Sequence, residues 1–348
     1  MIARQTMKIT YLFILSIIIA FSSLFAQNYR ENVSKRGTTA APFLEIAVGS
    51  RALAMGGAFT ALSDDPTAIY WNVAGLAKLK RSGVIFNHTE WIANIQFNFL
   101  GAAFKTDKWG TLGLSLTSLN TDEMDVTTVE EPEGTGQTFR AGDFAFSLAY
   151  AFNLTDRFSV GLNPKIIHQK IWEMSATGIA IDIGVHYVTP FKGVIIGFTM
   201  VNFGSKMQID GHNSRVLYDF DPNSTGNNER VPAKLETDKW ALPLNFRIGM
   251  LYKLLDTQQH TVNMEVDAAH PNNNYESINT GIEYIFKNRF ALRGGYKSLF
   301  LKDSEESFTV GAGVNYPILG NVMVHIDFAY ADFGLLENVQ KYSIGIDF

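Results

Sequence analysis

The chain has 348 residues, 29 Lys and Arg against 34 Asp and Glu, a formal net charge of −5, no cysteine and 13% aromatic residues. Charge this small and this evenly spread forms no basic stripe of the kind nucleic acid demands, and a hydrophobic share of 46% excludes wholesale disorder. With no cysteine, no disulfide holds the fold.

Residues 1–26 read as an export signal. Arg4 and Lys8 precede an apolar run from Ile9 to Phe21, and "SSLFA" ends at Ala26 on a small residue at the expected cleavage edge. The run is short for a membrane anchor and holds Ser16. No cysteine follows it, which argues against a lipoprotein. Beyond the signal no stretch reaches 18 uninterrupted apolar residues, so a helical membrane protein is not expected.

Next comes "FLEIAVGSRALAMGGAFTALSDDPTAIYWNVAGLAKL", Phe43 to Leu79. Gly49, Gly56 and Gly57 invite a phosphate loop, but no G-K-[ST] follows. Asp64 and Asp65 invite a hard cation, yet the D-x-D-x-D-G spacing is missing. "SDDPTA" reads more simply as a turn or helix start, with Ser and Asp capping and Pro66 near the first helical position.

From Ser82 onward the apolar residues recur with a period of two. Phe144, Phe146, Leu148, Tyr150 and Phe152 alternate with Ala145, Ser147, Ala149 and Ala151. Ile179, Ile181, Ile183, Val185 and Tyr187 alternate with Ala180, Asp182, Gly184 and His186. Val322, Val324, Ile326, Phe328 and Tyr330 face away from His325 and Asp327. Strict alternation is the strand signature. A soluble sandwich would put Lys, Glu and Thr on its second face; here that face is mostly Gly, Ala, Ser and Asn, which suits a crowded, curved lumen. The fold class expected is all-β: a transmembrane antiparallel up-and-down barrel of about 14 strands, with a small, partly helical N-terminal plug inside.

Fourteen segments are countable, at roughly 82–91, 94–106, 109–121, 139–154, 157–172, 176–188, 193–203, 240–255, 259–269, 275–287, 289–300, 306–317, 321–331 and 338–348. Links after even-numbered segments are all short, and the two long ones, 122–138 and 204–239, both follow odd-numbered segments. Short periplasmic turns and long external loops are the rule, so both long loops are assigned outside. The domains expected are 1–26 signal, 27–81 plug and 82–348 barrel. Tyr342, Ile344, Ile346 and Phe348 share one face of the last segment, and a terminal Phe there resembles the signal read by the outer-membrane assembly machinery.

Barrel enzymes invite a search for catalytic groups. His325 and Asp327 share a strand face, as do Glu265 and Asp267 with His270 beyond, but no serine sits beside either pair in a nucleophile motif. Arg247, Lys253, Glu283, Arg293 and Lys297 also fall on the lumen-facing alternation, and mutual pairing or pairing with the plug is the simpler account. No catalytic residue, cofactor or metal is assigned.

The string "FLEIAVGSRALAMGGAFTALSDDPTAIYWNVAGLA" resembles the N-terminal signature of the PorV/PorQ family of outer-membrane barrels, distant relatives of FadL-type hydrophobic-substrate transporters. Further similar stretches are "HTEWIANIQFNFLGAAF" (88–104), "HPNNNYESINTGIEYIF" (270–286), "ALRGGYKSLFLKDSEESFTVGAGVNY" (291–316) and "DFAYADFGLLENVQKYSIGIDF" (327–348). The resemblance implies a cell outer membrane location with lipid around the barrel, and a plug motif at Gly49, Arg51, Ala52, Met55, Gly56, Gly57, Asp64, Asp65, Tyr70, Trp71, Asn72 and Gly75. Arg51, Asp64 and Asp65 are then candidates to pair with lumen charges. It also implies a part in type IX secretion, with external loops docking secreted proteins that bear C-terminal sorting domains, and other secretion components, as partners. FadL-type relatives instead pass hydrophobic molecules, which leaves a lipid-like ligand in the lumen as the alternative. One departure stands out: where that family carries Asn-Pro-Ala, this chain has Asn72-Val73-Ala74, which frees φ and restores a backbone N–H.

Overall fold

Alternating large and small side chains favour an extended chain with one apolar and one compact face, and the computed structural model shows that chain closed on itself. It describes residues 34–348 except 107, 222, 224–229, 302–303, 319–321 and 337; the export signal expected at 1–26 lies outside the described residues. Arg36–Phe348 is one compact unit.

Fourteen strands form the wall. They are β1 Gly83–Glu90, β2 Gln96–Thr106, β3 Gly110–Asn120, β4 Ala141–Asn153, β5 Phe158–Ile171, β6 Met174–Val188 and β7 Val194–Gly204. Then follow β8 Asn245–Asp256, β9 His260–Pro271, β10 Ser277–Phe286, β11 Phe290–Leu299, β12 Phe308–Pro317, β13 Met323–Asp332 and β14 Asn338–Asp347. Each pairs antiparallel with its sequence neighbours, and β1 meets β14 from Gly83↔Asp347 to Glu90↔Gln340, so no edge remains. Closure pairs both edges of the wall, as hydrocarbon requires. Among the described residues no helix is long and apolar enough to cross a membrane; the strands do so.

All fourteen expected segments are strands. The eighth begins at Asn245 rather than 240, because Pro243 cannot donate to a ladder. The fourth begins at Ala141 rather than 139, since Thr138–Phe139 pairs instead with Met124–Asp125 as a ribbon within the first long loop. The second long loop holds another ribbon, Arg215–Tyr218 with Val231–Lys234, and lends Asp210–Gly211 to the end of β6. Connections after even-numbered strands are tight, with Lys287 and Asn288 at φ 51° and 54° in the β10–β11 turn, the left-handed pair a two-residue hairpin favours.

Side-chain direction follows the alternation. On β4, Phe144, Phe146, Leu148 and Tyr150 are exposed while Ala145, Ser147, Ala149 and Ala151 are buried. Tyr342, Ile344 and Ile346 likewise point outward from β14, where an apolar belt meets lipid. The interior is filled by residues 40–79, whose side chains are nearly all buried. They include helix α1 (Ser50–Ala54), helix α2 (Ala68–Trp71) and 3-10 turns at Pro42–Glu45 and Val73–Lys78. This plug starts at the long-loop end, where Ala40 N–H donates to Ala241 O. It finishes at the short-turn end, where Asn153 Nδ2 donates to Ala77 O and the chain turns into β1.

Candidate functional site

Small residues let the plug approach the wall at backbone distance. A Cβ built on Gly161 would lie 2.7 Å from the Val73 carbonyl carbon, and one on Gly184 2.8 Å from Ala74 N. On the other side of the lumen Gly281 and Gly295 face Met55 in the same way. The glycines that broke the sequence's inward face are therefore seats for the plug backbone.

The plug motif splits between self-contact and wall contact. Gly49 (φ 85°) opens α1, and Gly56 and Gly57 (φ 67° and 75°) turn the chain after it, with Gly56 N–H donating 2.9 Å to Thr309 Oγ1. Ala52 and Met55 are buried among Leu53, Phe59 and Trp71. Asn72 bridges plug and wall, its Nδ2 donating to Thr60 O at 2.8 Å and Val185 O at 3.0 Å. Its Oδ1 accepts from Ala74 N–H at 3.2 Å, capping the turn that Val73 begins. Trp71 Nε1 donates to Val48 O at 2.8 Å, and Gly75 packs on the Ser63 backbone. Asp65 accepts from Thr67 N–H at 2.8 Å, the turn that "SDDPTA" announced.

The expected charge pairing is rearranged. Asp64 and Asp65 do not reach the wall; both pair within the plug with Arg51, at 2.6 and 3.3 Å. Arg51 alone spans the gap, donating from Nε and Nη2 to Glu283 at 2.8 and 2.9 Å. Glu283 in turn holds Arg293 at 2.8 Å, and Arg293 holds Asp327 at 2.6 Å. The chain Asp64–Arg51–Glu283–Arg293–Asp327 thus runs from plug to β13. His325 bonds Asp347 and Asn315, each at 2.8 Å, so its neighbour relation with Asp327 builds no catalytic pair.

Pattern reading missed what Glu265 and Asp267 do. Both are 0% exposed. Asp267 Oδ2 accepts from Phe59 N–H and Thr60 N–H at 3.0 Å and Thr60 Oγ1 at 2.6 Å. Glu265 accepts from Ala61 N–H at 2.6 Å and Leu62 N–H at 2.9 Å. Four consecutive peptide N–H groups, which belong to neither helix nor sheet, are satisfied by two wall carboxylates. We call this pair the latch. Lys341 of β14 donates to Ala47 O, and Ser343 Oγ lies 2.6 Å from Ser50 Oγ.

Above the plug, at the long-loop end, a cavity of about 520 Å³ opens outward. Its floor is Leu44, Ile46, Tyr70 and Trp71, and its walls include Trp91, Phe333, Arg247, Asn245 and Asn273. Burial pushes the Tyr70 phenol up to about 12, so it stays a donor, to Leu44 O at 3.2 Å. Burial likewise raises the Glu45 carboxyl, against an opposing hydrogen bond from Asn273.

A family model described as an uncharacterised protein family, UPF0164, matches residues 19–184, which takes in the plug and β1 to β5. No curated protein matches. Among solved structures, the CymD monoaromatic hydrocarbon channel aligns over 86% of this chain and 96% of its own at 12% identity and TM-score 0.54. The Pseudomonas putida toluene transporter TodX gives the same figures, and the Ralstonia pickettii toluene transporter TbuX aligns over 86% and 97% at 12% identity and TM-score 0.52. The fold is FadL-like. What the FadL-like barrel shares with these structures is architecture; at this identity the lining of its lumen is its own.

Proposed function

We propose that the protein is an outer-membrane conduit for small, largely apolar molecules, with residues 36–81 as its gate. The observation carrying this reading is the aromatic-floored cavity, open at the long-loop end and stopped below by a plug that apolar clusters pack on the wall and that directional polar contacts fix in register. The structural neighbours, channels and transporters by name, support the same reading. The test is entry of a fluorescent apolar probe such as N-phenylnaphthylamine into cells with and without the barrel. Faster entry with the barrel is expected, and equal rates would refute a conduit.

A second reading, protein handling in secretion, is favoured by the external ribbon. Leu217 and Tyr218 are exposed on it, and Phe220 and Leu235 just beyond its ends, more apolar surface than a solvated cover needs. Deleting 204–239 would then leave a folded barrel that no longer co-purifies with secreted proteins bearing C-terminal sorting domains. Unchanged co-purification refutes it.

A further inference from the structure

Three residues that line the cavity each bury a polar atom without a partner. Arg247 Nε has no acceptor, and Asn245 Oδ1 and Asn273 Oδ1 have no donor. Arg247 is only 6% exposed. Its guanidinium lies over the Trp71 and Tyr70 rings, 4.9 and 5.7 Å from their centroids, and makes one long hydrogen bond of 3.4 Å to Tyr70 O. Among the described residues no carboxylate is within ion-pair distance of it, whereas Arg293, the other buried arginine of the wall, holds two. The acids around the cavity are engaged elsewhere: Glu306 with Lys297 at 2.5 Å, Glu45 with Asn273 Nδ2 at 3.0 Å, Glu305 with Leu335 N–H at 3.2 Å.

Buried donors and acceptors left unmade carry their full desolvation cost, and a charged one carries more. The cavity therefore rewards a molecule that brings an acid to Arg247 and an O–H or N–H to the asparagine carbonyls, with an apolar ring for Tyr70, Trp71 and Trp91. A plain hydrocarbon would leave all three atoms without a partner.

We propose that the cavity is a binding site for an aromatic acid bearing a hydroxyl or amino group, with the acid on Arg247 and the donor group on Asn245 or Asn273. This rests on the cavity being the entry site of the conduit, and it narrows the cargo from hydrocarbons to amphipathic anions.

The test is equilibrium binding to the purified full chain in detergent, by calorimetry, with 4-hydroxybenzoate, benzoate and toluene as probes. The expected order is 4-hydroxybenzoate, then benzoate, then toluene, with at least about tenfold between first and last, as one charged hydrogen bond supplies. Arg247→Met should collapse the acid-over-toluene ratio to about one, with heat-modifiable gel mobility reporting that the barrel is folded. The double variant Asn245→Leu/Asn273→Leu, which leaves Arg247 in place, should erase only the preference for 4-hydroxybenzoate over benzoate. Equal affinity for toluene and 4-hydroxybenzoate, or a preference that survives in both variants, overturns the site while leaving the conduit reading in place. Binding of none of the three overturns both.

Discussion

The latch makes the sharpest prediction, because its two carboxylates do different amounts of hydrogen bonding than of charge pairing. All three bonds to Asp267 fall on Oδ2, and Oδ1 has no partner. Asp267→Ala strands the Phe59 and Thr60 N–H groups and the Thr60 hydroxyl in a dry interior. At about 1–3 kcal/mol per unsatisfied buried group, the docked plug loses at least about 3 kcal/mol. Asp267→Asn keeps an oxygen where Oδ2 stands and removes a negative charge next to Glu265, which no cation compensates within ion-pair distance among the described residues. Its cost should stay within about 1 kcal/mol. The chain has no cysteine, so Ser63→Cys, at a position 1% exposed, gives a single reporter whose maleimide labelling tracks the undocked population when reclosing is fast. With tenfold per 1.4 kcal/mol, Asp267→Ala should speed labelling about a hundredfold and Asp267→Asn at most about fivefold. Equal acceleration by both would show that the charge, not the acceptor, holds the plug. No acceleration by either would refute the latch.

Other consequences follow from the same contacts. Glu283→Ala leaves Arg51 and Arg293 facing each other across the network and should cost about 3–5 kcal/mol of plug docking, with a coupling to Arg51→Met of more than about 1 kcal/mol in a double-mutant cycle read by the same labelling. Gly184→Val places side-chain atoms where Ala74 N and Val73 lie, so the folded barrel should show residue 63 labelled as fast as in a plug-free variant; a protected residue 63 would contradict close seating. Val73 occupies the first position of a 3-10 turn whose Asn72 cap is in place, a site that accepts proline; Val73→Pro should change thermal stability by less than about 1 kcal/mol, and a larger loss would show that this turn differs from the Asn-Pro-Ala form.

The wall was legible because its information is local. Period two in "DFAFSLAYAFN" states both the strand and the face that points outward, and loop parity states that both long loops leave from one end. The turn at Ser63-Asp64-Asp65-Pro66 was legible too. What could not be read were the partners across the lumen. Asp267 and Phe59 are 208 positions apart and Arg51 and Glu283 are 232 apart, and nothing in alternation says which inward acid meets which plug N–H. A faint signal existed: Glu265 and Asp267 are two inward acids on one strand with no inward Lys or Arg between them, which asks for donors from elsewhere. Arg247 gave none, because an arginine on a lumen face reads alike whether paired or free.

The central claim is that the plug must move for cargo to pass. Ser50 and Ser343 hydroxyls lie 2.6 Å apart across the plug–wall boundary, so Ser50→Cys/Ser343→Cys in this cysteine-free chain should form a disulfide that ties α1 to β14. Uptake of N-phenylnaphthylamine should fall at least about tenfold on oxidation and return on reduction, with either single cysteine indifferent to both. Uptake that proceeds at full rate through the oxidised, cross-linked barrel would contradict the account.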